Sequence, residues 1–477
     1  MKWTIRIEFT PDGAAGGSRE VGVLTREELR DENIGLTLEE GRRLLQSLEM
    51  AIIANQAAYY AERRRRCPNC ERAQRMKDLR TKCVQTVFGR YRFRGRRFQA
   101  CKCFRFVRMP KTLFPLGELI PRRTTPELRY LLAELGARMP YREASRTFKL
   151  CSFGGMRASH SAIRRHTLAL GYFLHWQQFH SFMPNGAKRP EAADSMVVGI
   201  DDTYIRHHKP RTSRQIQVTA GRLERNGELA GRFAFVAGSE DWRPYHFGGF
   251  LNQQGLASST DVRIVNDGDK GLQNFVRKVL RSAAPSQLDW FHIGMRLERL
   301  KKAVRLPVTY AEYLSSPDAS KPREKRVSLI RDALWRGRAH EAEAQFDLLQ
   351  REVDSWRRQH PEGGQAAVEQ VLRLIAEFRG YVCSNRRCVP DFAKARAEGR
   401  RISTAHVESV MNHLVNHRMS KRQQMRWSPE GAHYLLQVRT ELLNGTLPAR
   451  YRILYPGFHQ APEYVDLVAR RTPPPLP

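Results

Sequence analysis

The chain has 477 residues, of which 41% are hydrophobic, and its 82 Lys+Arg against 49 Asp+Glu give a formal net charge of +33. This length and apolar content predict two or more domains with their own cores, which excludes a disordered chain. The excess of positive charge indicates nucleic acid or an anionic membrane surface as the partner. Because no uninterrupted apolar run reaches transmembrane length, we expect nucleic acid and no membrane.

The N-terminus indicates an intracellular protein, and this decides how the cysteines are interpreted. The opening segment "MKWTIRIEFTPDG" alternates apolar and polar residues and lacks the apolar core of a signal peptide, so we expect a cytoplasmic location. A disulfide framework is not expected in a reducing compartment. The spacing of the eight cysteines is therefore interpreted in terms of metal binding or thiol chemistry.

Residues 1–62 are predicted to form a β-hairpin followed by a helix. "WTIRIEF" and "REVGVL" flank a Pro-Asp-Gly turn, and Thr37 and Glu40 have the spacing of a capping box. The helix carries an apolar stripe of near-heptad spacing, which consists of Leu38, Leu45, Leu48, Ile52 and Tyr59, with Asn55 on the same side. This stripe either packs on its own domain or forms a dimeric coiled coil.

Residues 63–108 are predicted to form a basic zinc ribbon. They contain 17 Lys+Arg against 2 Asp+Glu, a local excess of 15, with aromatic residues interleaved in "VFGRYRFRGRRFQ". Cys67 and Cys70 lie at one end and Cys101 and Cys103 at the other, and two such pairs can complete a tetrahedral Zn²⁺ site. Cys83 is an alternative ligand, and a set of unrelated reduced thiols is the alternative to a metal site. The ribbon would present its arginines to phosphates.

Residues 109–182 are predicted to be helical. "TTPELRYLLAELGARM" begins at a Thr followed by Pro, "YREASRTFKL" is a second helix, and "SHSAIRRHTLALGYFL" is a third with Ser159 as a candidate cap. Three short helices rich in arginine are typical of a helix-turn-helix DNA-binding domain. An ordinary helical linker domain is the alternative.

The remainder is predicted to be a mixed α/β domain with a helical insertion. After a loop at "MPNGAKRPEAAD", three hairpin strands are followed by alternating strands and helices. We assign residues 195–292 and 401–450 to this domain, 293–400 to an all-α insertion and 451–477 to a C-terminal tail. The predicted fold class is thus multidomain α+β. The pair Cys383 and Cys388 has no nearby further ligands, so we expect it to be structural or incidental.

Two apolar runs, "VVGIDD" and "RIVNDG", both end in carboxylates. We predict that Asp201 and Asp267 follow the ends of two adjacent buried strands. An acid at a strand end is often an ordinary turn residue. Two such acids side by side repel each other unless a cation lies between them, and Asp oxygens are ligands that Mg²⁺ accepts. The sequence therefore predicts a site for two Mg²⁺ (or Mn²⁺) ions acting on a phosphodiester.

A third carboxylate is expected from a helix that packs on the sheet. Glu408 is the favoured candidate because it borders a helical apolar stripe formed by Val407, Val410, Met411 and Leu414. Glu430, in "WSPEGAH", is the rival and is expected to lie in an exposed Pro-Gly turn.

Several of these motifs resemble one known family. "GIDDTYIR", "RIVNDG", "DWFHIGMRL" and "ISTAHVESVMNHLVNHRMSKRQQMRWSPEGAHYLLQVRTELLNG" are similar to bacterial insertion-sequence DDE transposases of the Mutator-related type that carries an N-terminal zinc ribbon. The resemblance covers residues 1 to about 450. It implies a ribonuclease H-like catalytic domain with Asp201, Asp267 and Glu408 as the metal-binding triad. Asp202 stands where the family often has glycine, which leaves the first acid ambiguous.

The resemblance also implies an activity and its partners. Asp289 and His292 of "DWFH" match a motif near the site. His292 is then expected on the strand after "NDG", close to the scissile phosphate, with a packed core histidine as the alternative. The implied protein binds the terminal inverted repeats of a mobile element in double-stranded DNA, cleaves and joins strands, acts as a homodimer or higher oligomer, and is nucleoid-associated. A ribonuclease H-fold nuclease without strand transfer and a transposase-derived DNA-binding regulator are the alternatives.

Overall fold

The computed structural model describes most of the chain and divides it into two compact units. The described residues are 1–10, 16–67, 69–101, 103, 112–152, 156–182, 190–209, 214–237, 242–280, 286–305, 321–360, 365–403, 405–419 and 426–458. The first unit comprises residues 1–170 and 445–477, and the second comprises residues 171–444. Residues 183–189 of the predicted loop at 183–194, the end of the basic segment at 104–108 and residues 459–477 of the predicted tail at 451–477 lie outside the described residues.

Within the described residues, the first unit is built from two small antiparallel sheets, six helices or parts of helices and one 3₁₀ turn. Its strands are β1 (Lys2–Phe9), β2 (Gly17–Thr25), β3 (Met76–Gln85), β4 (Arg90–Gln99) and β5 (Thr112–Leu113). Its helices are α1 (Leu38–Arg63), α2 (Pro115–Leu119), α3 (Pro126–Arg138), α4 (Tyr141–Cys151), the first half of α5 (His160–Phe182) and, late in the chain, α16 (Leu447–Leu454), with a 3₁₀ turn at Asp31–Asn33. Strands β1 and β2 pair as the predicted hairpin, and β3-β4-β5 form the second sheet.

Helix α1 begins as predicted but uses a different face. The Thr37 side chain accepts a hydrogen bond from the Glu40 backbone, and the Glu40 carboxylate accepts one in return, which is a complete capping box. The buried residues are Ala51 and Ile53, whereas Leu38 and Ile52 of the predicted stripe are exposed. The predicted packing face was therefore wrong at those two positions, because α1 packs against β2, β4 and α2 through the other side.

Helices α3, α4 and α5 confirm the three predicted helices. They share a small core of buried apolar side chains that includes Leu128, Phe148 and Ile163. The Ser159 hydroxyl accepts a hydrogen bond from the Ala162 backbone, as expected of a cap. The predicted DNA-binding role of this helical segment stays a prediction.

The second unit is a five-stranded mixed sheet with helices. Its strands are β6 (Ser195–Arg206), β7 (Gln215–Arg225), β8 (Glu228–Val236), β9 (Asp261–Asn266) and β10 (Ser286–Leu288). The spatial order is β10-β9-β6-β7-β8, with β6, β7 and β8 antiparallel and with β9 and β10 parallel to β6. The predicted sequence of three hairpin strands followed by alternating strands and helices is confirmed.

Helices α6 and α7 pack on this sheet, and a long helical segment follows its last strand. The helices of the unit are the second half of α5, α6 (Arg243–Gln253), α7 (Lys270–Leu280), α8 (Trp290–Ala303), α9 (Lys321–Trp335), α10 (Ala339–Gln359), α11 (Gln365–Ser384), α12 (Phe392–Ala397), α13 (Ala405–Val410), α14 (His417–Met419) and α15 (Pro429–Leu443), with a 3₁₀ turn at Arg386–Cys388 and a π-helix at Met411–Asn416. One apolar core lies under the sheet, and a second joins helices α8 to α12. The predicted all-α character of the 293–400 segment is confirmed for its described residues.

Candidate active site and cysteine cluster

Asp201 lies on β6, and Asp267 directly follows the neighbouring parallel strand β9. Strands β6 and β9 pair with Val198 opposite Ile264 and Gly199 opposite Val265. The same register, continued by two residues, sets Asp201 opposite Asp267. The structure thus brings together the two acids that the sequence singled out.

The prediction that both acids follow a strand end is wrong for Asp201. Strand β6 runs on to Arg206, because β7 pairs with it along its whole length and Arg206 lies opposite Gln215. Asp201 is thus fixed inside a strand. Asp267 does follow the last residue of β9, where its carboxylate accepts a hydrogen bond from the backbone N–H of Asp269 at 3.0 Å.

The surroundings of Asp201 disfavour its charged form. Burial raises the pKa of this carboxyl to about 6, and the negative charge of Asp267 acts in the same direction. A hydrogen bond from the Asp202 backbone and the nearby His292 partly oppose the rise in pKa. A cation placed beside Asp201 would therefore stabilise the charged form of its carboxyl.

Asp202 has other partners. Its carboxylate accepts a hydrogen bond from the Gln217 side chain at 2.7 Å and another from the Thr219 hydroxyl, both on β7. Burial raises the pKa of Asp202, while these two hydrogen bonds and Arg243 act against the rise. Because Asp202 is held by β7 side chains, Asp201 is the better candidate for the first acid.

Asp289 and His292 belong to the start of a helix and not to a strand, which corrects the predicted placement of His292. Strand β10 ends at Leu288, and the Asp289 side chain caps α8 by accepting a hydrogen bond from the Phe291 backbone at 2.9 Å. The His292 Nε2 lies 3.7 Å from an Asp289 carboxylate oxygen. His292 is 28% exposed and is therefore not a packed core histidine.

Two residues near the acids were missed by sequence reasoning. The guanidinium of Arg296 lies 4.2 Å from the ring centroid of Tyr381, which α11 contributes from the helical insertion. Burial raises the pKa of Tyr381, and the charges of Asp267 and Asp289 contribute to the rise. Arg296 follows His292 by four residues on α8, so helical spacing would have found it, whereas no local pattern identifies Tyr381.

Glu408 does not join the two aspartates. Helix α13 packs against β6 and β7, and the predicted apolar stripe of Val407, Val410, Met411 and Leu414 is buried. The Glu408 side chain itself is exposed. Where the structure describes the chain, the groups of three or more potential ligands within 4.8 Å of one another are four cysteines and three histidines, and the three acids do not form such a group. Among the described residues, Asp201 and Asp267 therefore do not form a ligand group with a third carboxylate.

Glu430 is exposed, as expected, but it lies in a helix and not in a Pro-Gly turn. The Ser428 hydroxyl accepts a hydrogen bond from the Gly431 backbone at 3.1 Å, and Pro429 occupies the first turn of α15. Serine followed by proline is a helix start, which explains the difference.

The four cysteines predicted as ligands converge at the base of the β3–β4 hairpin. The Sγ atoms of Cys67 and Cys103 are 3.5 Å apart, those of Cys70 and Cys101 are 3.4 Å apart, and all four lie within 4.8 Å of one another. Burial opposes ionisation of Cys67, but hydrogen bonds from the Asn69 and Cys70 backbone and from neighbouring thiols lower its pKa to about 7. This four-cysteine group can hold a metal ion.

Cys83 is not part of this group. Its sulfur accepts a hydrogen bond from Arg90 Nε at 3.0 Å, and Cys83 lies opposite Arg92 near the turn of the hairpin. The alternative of Cys83 as a ligand is therefore wrong in this structure. Cys383 and Cys388 also lie outside the described ligand groups.

The β3–β4 hairpin separates its aromatic and basic side chains. Tyr91 and Phe93 pack with Ile53 and Val84 in a small core. The alternate residues of β4 point outward, so that Arg90, Arg92, Arg94 and Arg96 form an exposed row. We call these four residues the arginine row.

No protein-family model matches this chain, and no curated protein is significantly similar to it. Within the described residues, none of the helices combines the length and apolar character that crossing a membrane requires.

Proposed function

We propose that this protein is a DNA transposase of the DDE type, which binds the ends of a mobile element, cleaves them and joins them to target DNA. The observation that carries the proposal is the position of Asp201 on the central strand β6, opposite Asp267, which directly follows β9 in the continued register of the two strands. A ribonuclease H-like domain is expected to have three antiparallel strands followed by two parallel strands next to the first. The order β10-β9-β6-β7-β8 fits that expectation.

The proposed site assigns a role to each acid. Asp201 and Asp267 hold divalent Mg²⁺ or Mn²⁺, and Glu408 on α13 is the proposed third ligand. When bound, these ions supply Lewis-acid stabilisation of charge on the scissile phosphodiester. His292 and Arg296 lie on one face of α8 near the acids, and we assign them to binding the DNA phosphate.

The proposed DNA contacts use the basic N-terminal region. The arginine row lies on a strand pair whose core is small, and the four cysteines at its base are proposed to bind one structural Zn²⁺ that holds the strands together. Guanidinium groups on a rigid hairpin bind phosphates with little loss of conformational entropy. Double-stranded element ends and target DNA are the proposed partners, and pairing two ends requires a dimer or higher oligomer.

One observation favours a second candidate. Glu408 is exposed and does not converge with the aspartates. An incomplete triad is what a transposase-derived DNA-binding regulator would have. Such a protein keeps the basic hairpin and binds DNA without cutting it.

A cleavage and joining assay distinguishes the two candidates. The DNA flanking the reading frame supplies the substrate, a labelled duplex containing the inverted repeat, which is incubated with the full chain and Mn²⁺. A transposase releases a 3′-hydroxyl at the element end and joins it to a second DNA. Specific binding with no cut product in wild type supports the regulator, and absence of both specific binding and cleavage refutes both candidates.

A further inference from the structure

Three histidines form a buried group in the second unit that the proposed catalysis does not use. His175 lies on α5, His246 on α6 and His433 on α15, and their exposed fractions are 6%, 0% and 8%. One ring nitrogen of each lies within 4.8 Å of the others. The Nδ1 atom of His175 is 3.0 Å from the Nε2 atom of His433.

The hydrogen bonds of this group leave one ring nitrogen of His246 without a partner. The His246 Nδ1 lies 3.2 Å from the Oε1 atom of Gln178. An amide oxygen only accepts hydrogen bonds, so Nδ1 carries the proton and Nε2 has a free lone pair. That Nε2 atom is buried without a hydrogen-bond partner. Buried polar atoms in this state cost stability unless something binds them.

A close approach of α5 and α15 brings two of the three rings together. Gly171 precedes His175 by one helical turn, and a Cβ atom at Gly171 would lie 2.0 Å from the backbone oxygen of Tyr434. Because glycine has no side chain, α5 approaches the α15 backbone beside His433. The walls of the cluster are aromatic: the Phe235 ring stacks on His246 at 5.6 Å, and Trp242 and Tyr434 contact His175.

The rings are in the form that binds metals. Burial lowers the pKa of His175, lowers that of His246 to about 3, and lowers that of His433 well below its ordinary value. All three imidazoles are therefore neutral at physiological pH, and a neutral imidazole is the ligand form of histidine. His175 and His433 share one proton between the two nitrogens that would bind the metal, and on metal binding this proton would move to the other nitrogen of the same ring.

We propose that His175, His246 and His433 bind one divalent transition-metal ion, with Zn²⁺ as the first candidate. Imidazole nitrogens suit Zn²⁺ and its neighbours in the series, and three histidines with one open position are a known zinc arrangement. Nitrogens bound tetrahedrally at about 2.0–2.1 Å are separated by roughly 3.3 Å, close to the 3.0 Å between His175 and His433. Gln178 would orient His246 through its other ring nitrogen. The ion would tie helices α5, α6 and α15 together beside strand β8.

Zinc analysis of the full, untagged chain tests this proposal. After loading with Zn²⁺ and dialysis, we expect about two Zn²⁺ per chain in wild type. A Cys67→Ser/Cys70→Ser variant is expected to retain one and His246→Gln to retain one. His340→Gln, which changes an exposed histidine on α10, is the matched control and should retain two.

Cobalt substitution identifies the ligands directly. In the Cys67→Ser/Cys70→Ser variant, bound Co²⁺ should give the visible bands of a nitrogen-ligated ion without thiolate charge-transfer absorption. Zn²⁺ should also raise the Tm of this variant, because metal binding stabilises the native state. Since the variant keeps all three histidines, it decides the question even if His246→Gln fails to fold. One Zn²⁺ in wild type with none in the cysteine variant would overturn the proposal and leave a neutral histidine stack.

Discussion

Asp201 lies opposite Asp267 in the continued register of strands β6 and β9, and its pKa of about 6 reflects burial first and the charge of Asp267 second. Two acids in this relationship are unfavourable neighbours in a protein without cations. They are useful neighbours in a protein that binds cations, because the repulsion is relieved on binding.

Replacing either aspartate should separate cleavage from binding. Asp201→Asn and Asp267→Asn are expected to reduce cleavage of an end-containing duplex by at least 100-fold, because they remove the proposed cation ligands, while affinity for that duplex changes little. The cleavage assay with Mn²⁺ and a gel shift measure the two effects. The control is Asp261→Asn, which changes an exposed acid at the opposite end of β9.

Glu408→Gln is expected to give the same loss of cleavage. A fully active Glu408→Gln protein would show that the third ligand lies elsewhere, with Glu430 as the next variant to make. Full activity in both aspartate variants would remove the main support for the proposed function.

The stability of the metal-free protein should depend on pH through Asp201. The folded pKa of about 6 is above the ordinary 3.8, so the folded state holds a proton that the unfolded chain releases between those values. Stability from this group is present below about pH 4 and is lost as pH rises through about 6. Asp201→Asn should therefore match wild type near pH 4 and exceed it at pH 7, by up to about 3 kcal/mol.

Urea unfolding in EDTA across this pH range measures the difference between the two proteins, with Asp261→Asn as the reference. A constant difference at all pH values would contradict the assigned pKa. Added Mn²⁺ is then expected to raise the Tm of wild type at pH 7 more than that of Asp201→Asn, since the variant has lost a proposed ligand. Equal shifts would mean that Asp201 holds no metal.

The arginine row should contribute to DNA affinity through phosphates. Arg92→Gln/Arg94→Gln removes two exposed charges that lie opposite Cys83 and Thr81 on the hairpin. The slope of log K against log salt concentration is expected to become shallower by about 1.8, because each phosphate contact contributes roughly 0.9. Arg357→Gln/Arg358→Gln, an exposed pair at the end of α10, serves as the control with equal loss of charge. An unchanged slope in the hairpin variant would exclude the row from the DNA interface.

The four-cysteine group should be required to hold the strands of the β3–β4 hairpin together. Cys67→Ser/Cys70→Ser is expected to lose one Zn²⁺ per chain and most of the specific DNA binding, because the strands lose the link at their base. Elemental analysis and a gel shift check both effects. Cys83→Ser should keep the metal, since the Cys83 sulfur accepts a hydrogen bond from Arg90 and lies outside the four-cysteine group. Normal zinc content in the double variant would place the ligands elsewhere, with Cys383 and Cys388 next in line.

Gly171→Ala should destabilise the second unit strongly. The added methyl group would meet the backbone oxygen of Tyr434 at 2.0 Å, a contact that only a shift of α5 or α15 relieves. Overpacking of this kind costs roughly 1–3 kcal/mol or more. Gly380→Ala on α11 is the matched control, because nothing lies within 4 Å of its added methyl group, and it should be stabilising by about 0.5–1 kcal/mol. Urea unfolding measures the stabilities of Gly171→Ala and Gly380→Ala. Equal stabilities would contradict the close approach of α5 to the backbone of Tyr434.

The helices and strands were predicted well because most of the signals that define them come from residues close together in the sequence. The capping box at Thr37, the Thr125-Pro126 helix start and the alternation along β6 to β8 depend on neighbouring residues, and each is found in the structure. The end of β6 was misplaced because the pairing of Arg206 with Gln215, a contact with another strand, extends the strand beyond the apolar run.

The candidate site was predicted in part for the same reason. Asp201, Asp267 and the four cysteines were found because carboxylates after apolar runs and closely spaced cysteine pairs are local signals. Tyr381 and the three buried histidines come from distant segments that only tertiary packing brings together. The exposure of Glu408 shows the limit of a helical stripe, which predicts the buried face of α13 but not where a side chain at its border points.

The two aspartates differ in how firmly the main chain holds them. Asp201 lies inside strand β6 and is paired with Ala220 on β7, so the strand pairing holds its backbone and its side-chain torsions remain adjustable. Asp267 precedes Gly268, whose φ of +90° marks a turn that is held by the Asn266 and Asp267 side chains. Cation binding at this pair should therefore reduce the conformational entropy of the backbone at Asp267 far more than at Asp201. Amide hydrogen exchange should be slow at Asp201 with or without a bound cation, and should slow on binding at Gly268 and Asp269.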